Sequence, residues 1–272
     1  MLATLLIPLQ LAATITATRY ESKIESGPTA GAPRIAQLSV FTTSGHDARI
    51  EVVERTGPVS PTGFMMGSYT VVRGGEKKMY SVDTVKHEYY EMDPAAMKEQ
   101  IREMIKGLSK MGMKFSSFTT RVEDLGDGEI ILGHPTRHWR VQNTIEVNTS
   151  LGDAAFRIRM ELVGDNFYSK DIMLSTNPTI APDSTLMVQF GDLIPEQNAA
   201  SARREMSRLP KTLPLKSVAT MTSHTGPTDM KMTTTSLVTK IETVKVPRSF
   251  FEVPRRYKKV EMPAIVPPGI IQ

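Results

Sequence analysis

The chain has five histidines, and the pair at His134 and His138 comes nearest to a metal-binding spacing. Four residues apart on a helix, two imidazoles would share one face. Pro135 and the alternation that follows predict a turn and a strand instead. On an extended chain the two rings stand more than about 10 Å apart, too far to share an ion. No glutamate follows His134 as a metalloprotease motif requires. His46-Asp47, after Gly45, reads as turn chemistry. His87 and His224 border strands without the serine or carboxylate arrangement of a nucleophile and its base. Gly126-Asp127-Gly128-Glu129 lacks the repeated acidic spacing of a calcium loop and reads as a hairpin turn. Neither standard glycine loop for phosphate occurs. The cysteine count of zero removes disulfides, thiol nucleophiles and thiolate metal sites. The residues imply no metal and no cofactor, and the chain reads as non-enzymatic. A hydrolase with a site assembled from distant residues is the least supported reading.

Methionine is the side chain used unusually often, 17 times. Its flexible thioether can line a pocket for variable apolar ligands, and it can equally fill an ordinary core. Met97, Ile101, Met104, Ile105, Leu108 and Met111 recur at steps of three and four, so they share one face of a helix. Lys98, Arg102, Glu103, Lys106 and Lys110 take the other side. Asp93-Pro94 supplies a helix start and Gly112 a terminator.

Around that helix the pattern has period two. Tyr20, Ser22 and Ile24 oppose Arg19, Glu21, Lys23 and Glu25. Further strands are predicted near 35–42, 49–55, 66–73, 78–83 and 87–92, with Gly74-Gly75 as a tight hairpin. Strands resume at 115–125 and 129–132. Trp139, Val141, Ile145 and Val147 then alternate with polar neighbours, and Phe156, Ile158, Met160 and Leu162 share the next apolar face. A second helix is expected over 195–206, ended by Pro210. Long strands near 213–223 and 229–246 follow. In the last, the apolar side moves from Met230 and Met232 to Leu237 and Ile241, then to Val244 and Val246, which predicts bulges. Sequential strands this close cannot hold parallel crossovers, so the sheet must be mostly antiparallel. The tail after Pro247 is expected to wrap the outside.

A formal net charge of +4, with basic residues scattered among acidic ones, supports no nucleic-acid footprint. Residues 1–13 form an apolar run, LATLLIPLQLAA after Met1, ending in small residues. At under the roughly 20 residues of a membrane span, it resembles the core and cleavage region of a secretory signal without its basic start. The alternative is an apolar first strand or short buried helix. A mature chain without a transmembrane span, periplasmic or secreted, is the expectation.

Several motifs in order carry a resemblance. They are Lys78-Met79-Tyr80, Glu88-Tyr89-Tyr90-Glu91-Met92-Asp93, Leu132-Gly133-His134-Pro135-Thr136-Arg137-His138-Trp139-Arg140, Leu213-Pro214-Leu215-Lys216, Val246-Pro247, Phe250-Phe251-Glu252-Val253-Pro254 and Tyr257. Together they resemble a bacterial domain-of-unknown-function family related to the outer-membrane lipoprotein carriers. The resemblance implies a curved, incomplete antiparallel barrel with helices across its concave side, a space that receives acyl chains in the carriers. The sequence departs from them in its longer loop at 176–195 and its Pro-rich tail.

The fold class expected is therefore mainly β (α+β): a single curved antiparallel sheet or incomplete barrel, with one or two helices across the concave face. A signal segment (1–13), one domain (14–260) and a tail (261–272) make up the chain. The ligand-lining candidates are Met97, Ile101, Met104, Ile105, Leu108, Trp139, Phe156 and Met160. The partner is expected to be a lipid, acyl chain or other apolar ligand. The alternative is an envelope scaffold that meets a protein partner and has a filled interior.

Overall fold

Alternating side chains close into one continuous sheet. The computed structural model describes residues 14–28, 35–57, 68–74, 78–92, 99, 102–103, 106–107, 112–151, 154–174, 196–224 and 229–262. The strands are β1 (Thr14–Pro28), β2 (Ile35–Ser44), β3 (Asp47–Thr56), β4 (Ser68–Arg73), β5 (Lys78–Asp83), β6 (Glu88–Met92), β7 (Met113–Ile131), β8 (His134–Leu151) and β9 (Ala154–Met173). Helix α1 (Glu196–Met206) follows, then β10 (Thr212–His224), β11 (Asp229–Pro247), a 3-10 turn (Arg248–Phe251) and β12 (Lys258–Lys259). The sheet is open and curved, and its twelve strands run in the order β12-β6-β5-β4-β3-β2-β1-β11-β10-β9-β8-β7. The pairing of β1 with β11 joins the two halves of the chain. Among the described residues every pairing is antiparallel except that of β12 with β6, for which the tail returns parallel. The segment after Pro247 thus contributes a strand.

Two boundaries differ from expectation. Gly126-Asp127-Gly128 makes no hairpin: β7 runs on to Ile131, with register shifts at Asp124/Gly126 and Asp127/Ile130. Glycine here serves close approach, since a Cβ on Gly128 would lie 2.5 Å from Thr136 Oγ1. The reversal falls only at Leu132-Gly133, at the start of the turn expected over 133–136, both at positive φ (52° and 82°), as a two-residue hairpin turn requires. β9 is one strand, where the sequence pattern predicts two, one through Leu162 and a second over 168–176.

The slip in β11 has two causes. Thr239 is bulged out between the pairs Glu21↔Lys240 and Ser22↔Val238. The later move to Val244 and Val246 is no bulge. There the opposite face is covered, with Val246 packing against Ala17 and the fully buried Phe251 of the 3-10 turn.

The largest core joins Tyr20, Phe41, Leu213, Leu215, Val238, Ile131 and Leu174. Side chains of this size contribute about 1.5–3 kcal/mol each when taken out of water. Tyr20 and Phe41 are register partners whose rings stack with centroids 4.8 Å apart. The helix expected before β7 is present at the positions described. Glu99, Arg102, Glu103, Lys106 and Gly107 are helical and exposed, and Gly112 ends the segment at φ 84°.

Candidate functional site

One face of the β7–β11 region carries the apolar side chains available for a site. Register partners in an antiparallel ladder share a face, so the rows across it can be read from the pairing. One row is Phe118, Ile145, Met160, Ser223 and Met230; the next is Thr120, Asn143, Leu162, Met221 and Met232. Below them lie Val122, Val141, Gly164, Ala219 and Thr234, then Asp124, Trp139, Asn166, Ser217 and Ser236.

Helix α1 seals one end of this face. Its Ala199 and Ala202 are fully buried against Phe118, Ile145 and Val147, with Ile158 and Met160 partly buried beside them. Small residues at these two positions let the helix backbone lie close to the strands. Arg203 and Arg204 in its last turn favour the helix's negative end.

Away from α1 the same face stays open. Leu162 and Met221 are half-buried, Met232 is 39% exposed and Met230 65% exposed. Towards the middle of the sheet the face turns polar. Ser217 donates to Asn166 Oδ1 at 2.7 Å, Ser22 and Ser236 hydroxyls meet at 2.9 Å, and so do Ser26 and Thr234. Trp139 sits in the polar row, its indole Nε1 buried and without an acceptor among the described residues.

The opposite face is ionic. Asp165 accepts from Arg140 Nε and meets His138 Nε2, each at 2.9 Å, and His138 stacks on Phe167 with centroids 4.4 Å apart. Burial works against ionisation of Asp165, but the bonds from Arg140 and His138 outweigh it and hold its carboxyl below the usual range. His134 pairs with a different carboxylate, Asp171, at 2.9 Å. The two histidines thus meet two separate carboxylates. Among the described residues no group of three or more such side chains is placed to hold a metal ion.

Of the candidate residues, the structure brings Met160 and Trp139 to the same face, on adjacent strands. Phe156 pairs with Thr149 in β9, and its side chain lies outside the described residues. Met97, Ile101, Met104, Ile105 and Leu108 also lie outside them. Sequence reasoning missed Leu162, Met221 and Met232 as one row. Each was visible on its own strand, but only the register aligns them.

No protein-family model and no curated protein matches the chain. Solved structures similar to it include an outer membrane lipoprotein-sorting protein domain from Vibrio parahaemolyticus. That likeness has 8% identity and a TM-score of 0.30, and it covers 87% of this chain and 89% of that one. A DUF1329 family protein from Desulfovibrio piger ATCC 29098 is similar at 9% identity and a TM-score of 0.30, over 87% of this chain and 89% of its own. A likeness at this level carries no inference about chemistry, which rests on the residues above. No helix among the described residues is long and apolar enough to cross a membrane.

Proposed function

We propose that the chain is a non-enzymatic, extracytoplasmic binding protein for a lipid or other apolar ligand, held on the half-open face of β9–β11. The observation that carries this reading is the register-aligned row Leu162, Met221 and Met232, left partly open beside the helix that seals one end of the face. Methionine and leucine there offer dispersion contacts to an alkyl chain without fixing its shape. The serine and threonine rows, with the Trp139 indole N–H, supply donors for a polar end. Placement outside the cytoplasm is supported by the apolar run at 2–13.

The test compares two charge insertions. In the delipidated parent, a dansyl-labelled fatty acid should bind and brighten. Met221→Asp should abolish binding with little loss of stability, because a half-open site lets the carboxylate stay hydrated. Ile145→Asp, placed under α1, should instead unfold the protein or cost it several kcal/mol, as an unpaired buried charge does. A parent that takes up no acyl probe, or a Met221→Asp variant that binds as the parent does, would overturn the proposal.

A further inference from the structure

Among the described residues strand β7 is the outer edge of the sheet, and an unpaired edge presents backbone donors and acceptors to any other strand. In this chain two side chains occupy that edge. The Val122 backbone N–H donates to Glu205 Oε2 at 3.1 Å, and Arg208 Nη1 donates to the Val122 carbonyl oxygen at 2.9 Å. Arg208 and Glu205 also bond to each other at 2.7 Å. Together they satisfy both backbone groups of one residue, as a neighbouring strand would. A cleft of about 570 Å³ between the edge and α1, lined by Thr120 to Asp124 and Ser201, marks where this clasp reaches across.

The geometry points to a gated self-association site: with the clasp open, β7 pairs antiparallel with β7 of a second copy, centred on Val122. Parity supports the centre. Both backbone groups of Val122 face away from β8, so those of Thr120 and Asp124 do as well, because the register is unbroken from Ser117 to Asp124. Charge supports the occupant. An antiparallel pairing about Val122 sets Arg121 opposite Glu123 of the other copy, and Glu123 opposite its Arg121. These two side chains now face each other only loosely along one strand, at 3.9 Å, and are largely exposed. They alternate with Val122, so their side chains leave the strand on the face opposite to that of the buried Val122. The same edge would serve a protein that holds a ligand on the adjoining face, but the inference does not depend on that ligand.

The experiment is sedimentation of the full chain. The parent should be a monomer. Glu205→Ala with Arg208→Ala should give a concentration-dependent dimer of twice the mass. Adding Arg121→Glu should return it to monomer, and adding Glu123→Arg as well should restore the dimer. Should the double variant fail to fold, the cysteine-free parent carries the test: Arg121→Cys and Glu123→Cys chains, mixed under oxidation, should cross-link to each other more than either does to itself. A folded double variant that stays monomeric, a dimer indifferent to Arg121→Glu, or a parent already dimeric through this edge overturns the proposal. So does a released edge that ignores its own copy and accepts an unrelated extended peptide.

Discussion

The guanidinium carbon of Arg49 lies 3.6 Å from the centre of the Tyr69 ring. Phe250 stands 4.4 Å from the same carbon, and Arg49 Nη1 donates to the Phe250 carbonyl oxygen at 3.3 Å. One side chain from β3 thereby ties β4 to the segment that returns after β11. Glu51, bonded to Arg49 at 2.6 Å, holds the fork in place. Beyond it, Val253 and Tyr257 complete the small core of Tyr69, Val71 and Val82, and β12 joins β6.

Arg49→Lys should therefore loosen the C-terminal segment while keeping the charge, because an ammonium lacks the planar fork that meets two rings and a carbonyl. The expected loss is about 2 kcal/mol, or a fall in Tm of roughly 5 °C. Limited proteolysis should show earlier cleavage after Phe251. An unchanged cleavage pattern would show that Phe251 anchors the tail without help from Arg49.

Asp165 predicts an acid dependence. Its carboxyl titrates below the unfolded value of about 3.9. The unfolded chain therefore takes up the proton first as pH falls. The stability that Asp165 contributes is full above that value and is lost as pH drops through its folded pKa. Asp165→Asn should be less stable than the parent at neutral pH and should decline less steeply below pH of about 4. Urea unfolding at several pH values checks this, and parallel curves for the two proteins would rule it out.

At the β7–β8 turn, Leu132 holds φ 52° and is 49% exposed. A leucine in this left-handed region carries a steric cost of roughly 1–2 kcal/mol and gains little from burial here. Leu132→Asn should raise stability by about 1 kcal/mol, since asparagine suits this turn position. A lowered Tm would mean that the exposed leucine makes a contact worth more than the strain.

Much of the fold was legible from alternation and from helix end signals. Lys78–Asp83 was placed to the residue, and α1 to within one position of its start, because both are bounded by strong local signals. Gly126-Asp127-Gly128 misled, because glycine marks a close approach as readily as a turn. Only the packing of Thr136 and Phe167 against Gly128 distinguishes the two. The switch to Val244 and Val246 misled for a similar reason. It records a second covered face, which depends on where the chain places Phe251 after the strand ends.

By itself the sequence determined the elements and their apolar faces, since period and propensity are local properties. It also ruled out cysteine chemistry, since residue type needs no partner. Tertiary structure alone decided which strands are neighbours and in what register. That register aligned Leu162, Met221 and Met232 across three strands and left β7 at the edge for Glu205 and Arg208 to cap. The physical reason is that sheet pairing is made by backbone hydrogen bonds, which every residue type offers alike. Strand order is chosen by the burial of whole faces, a property no single segment carries.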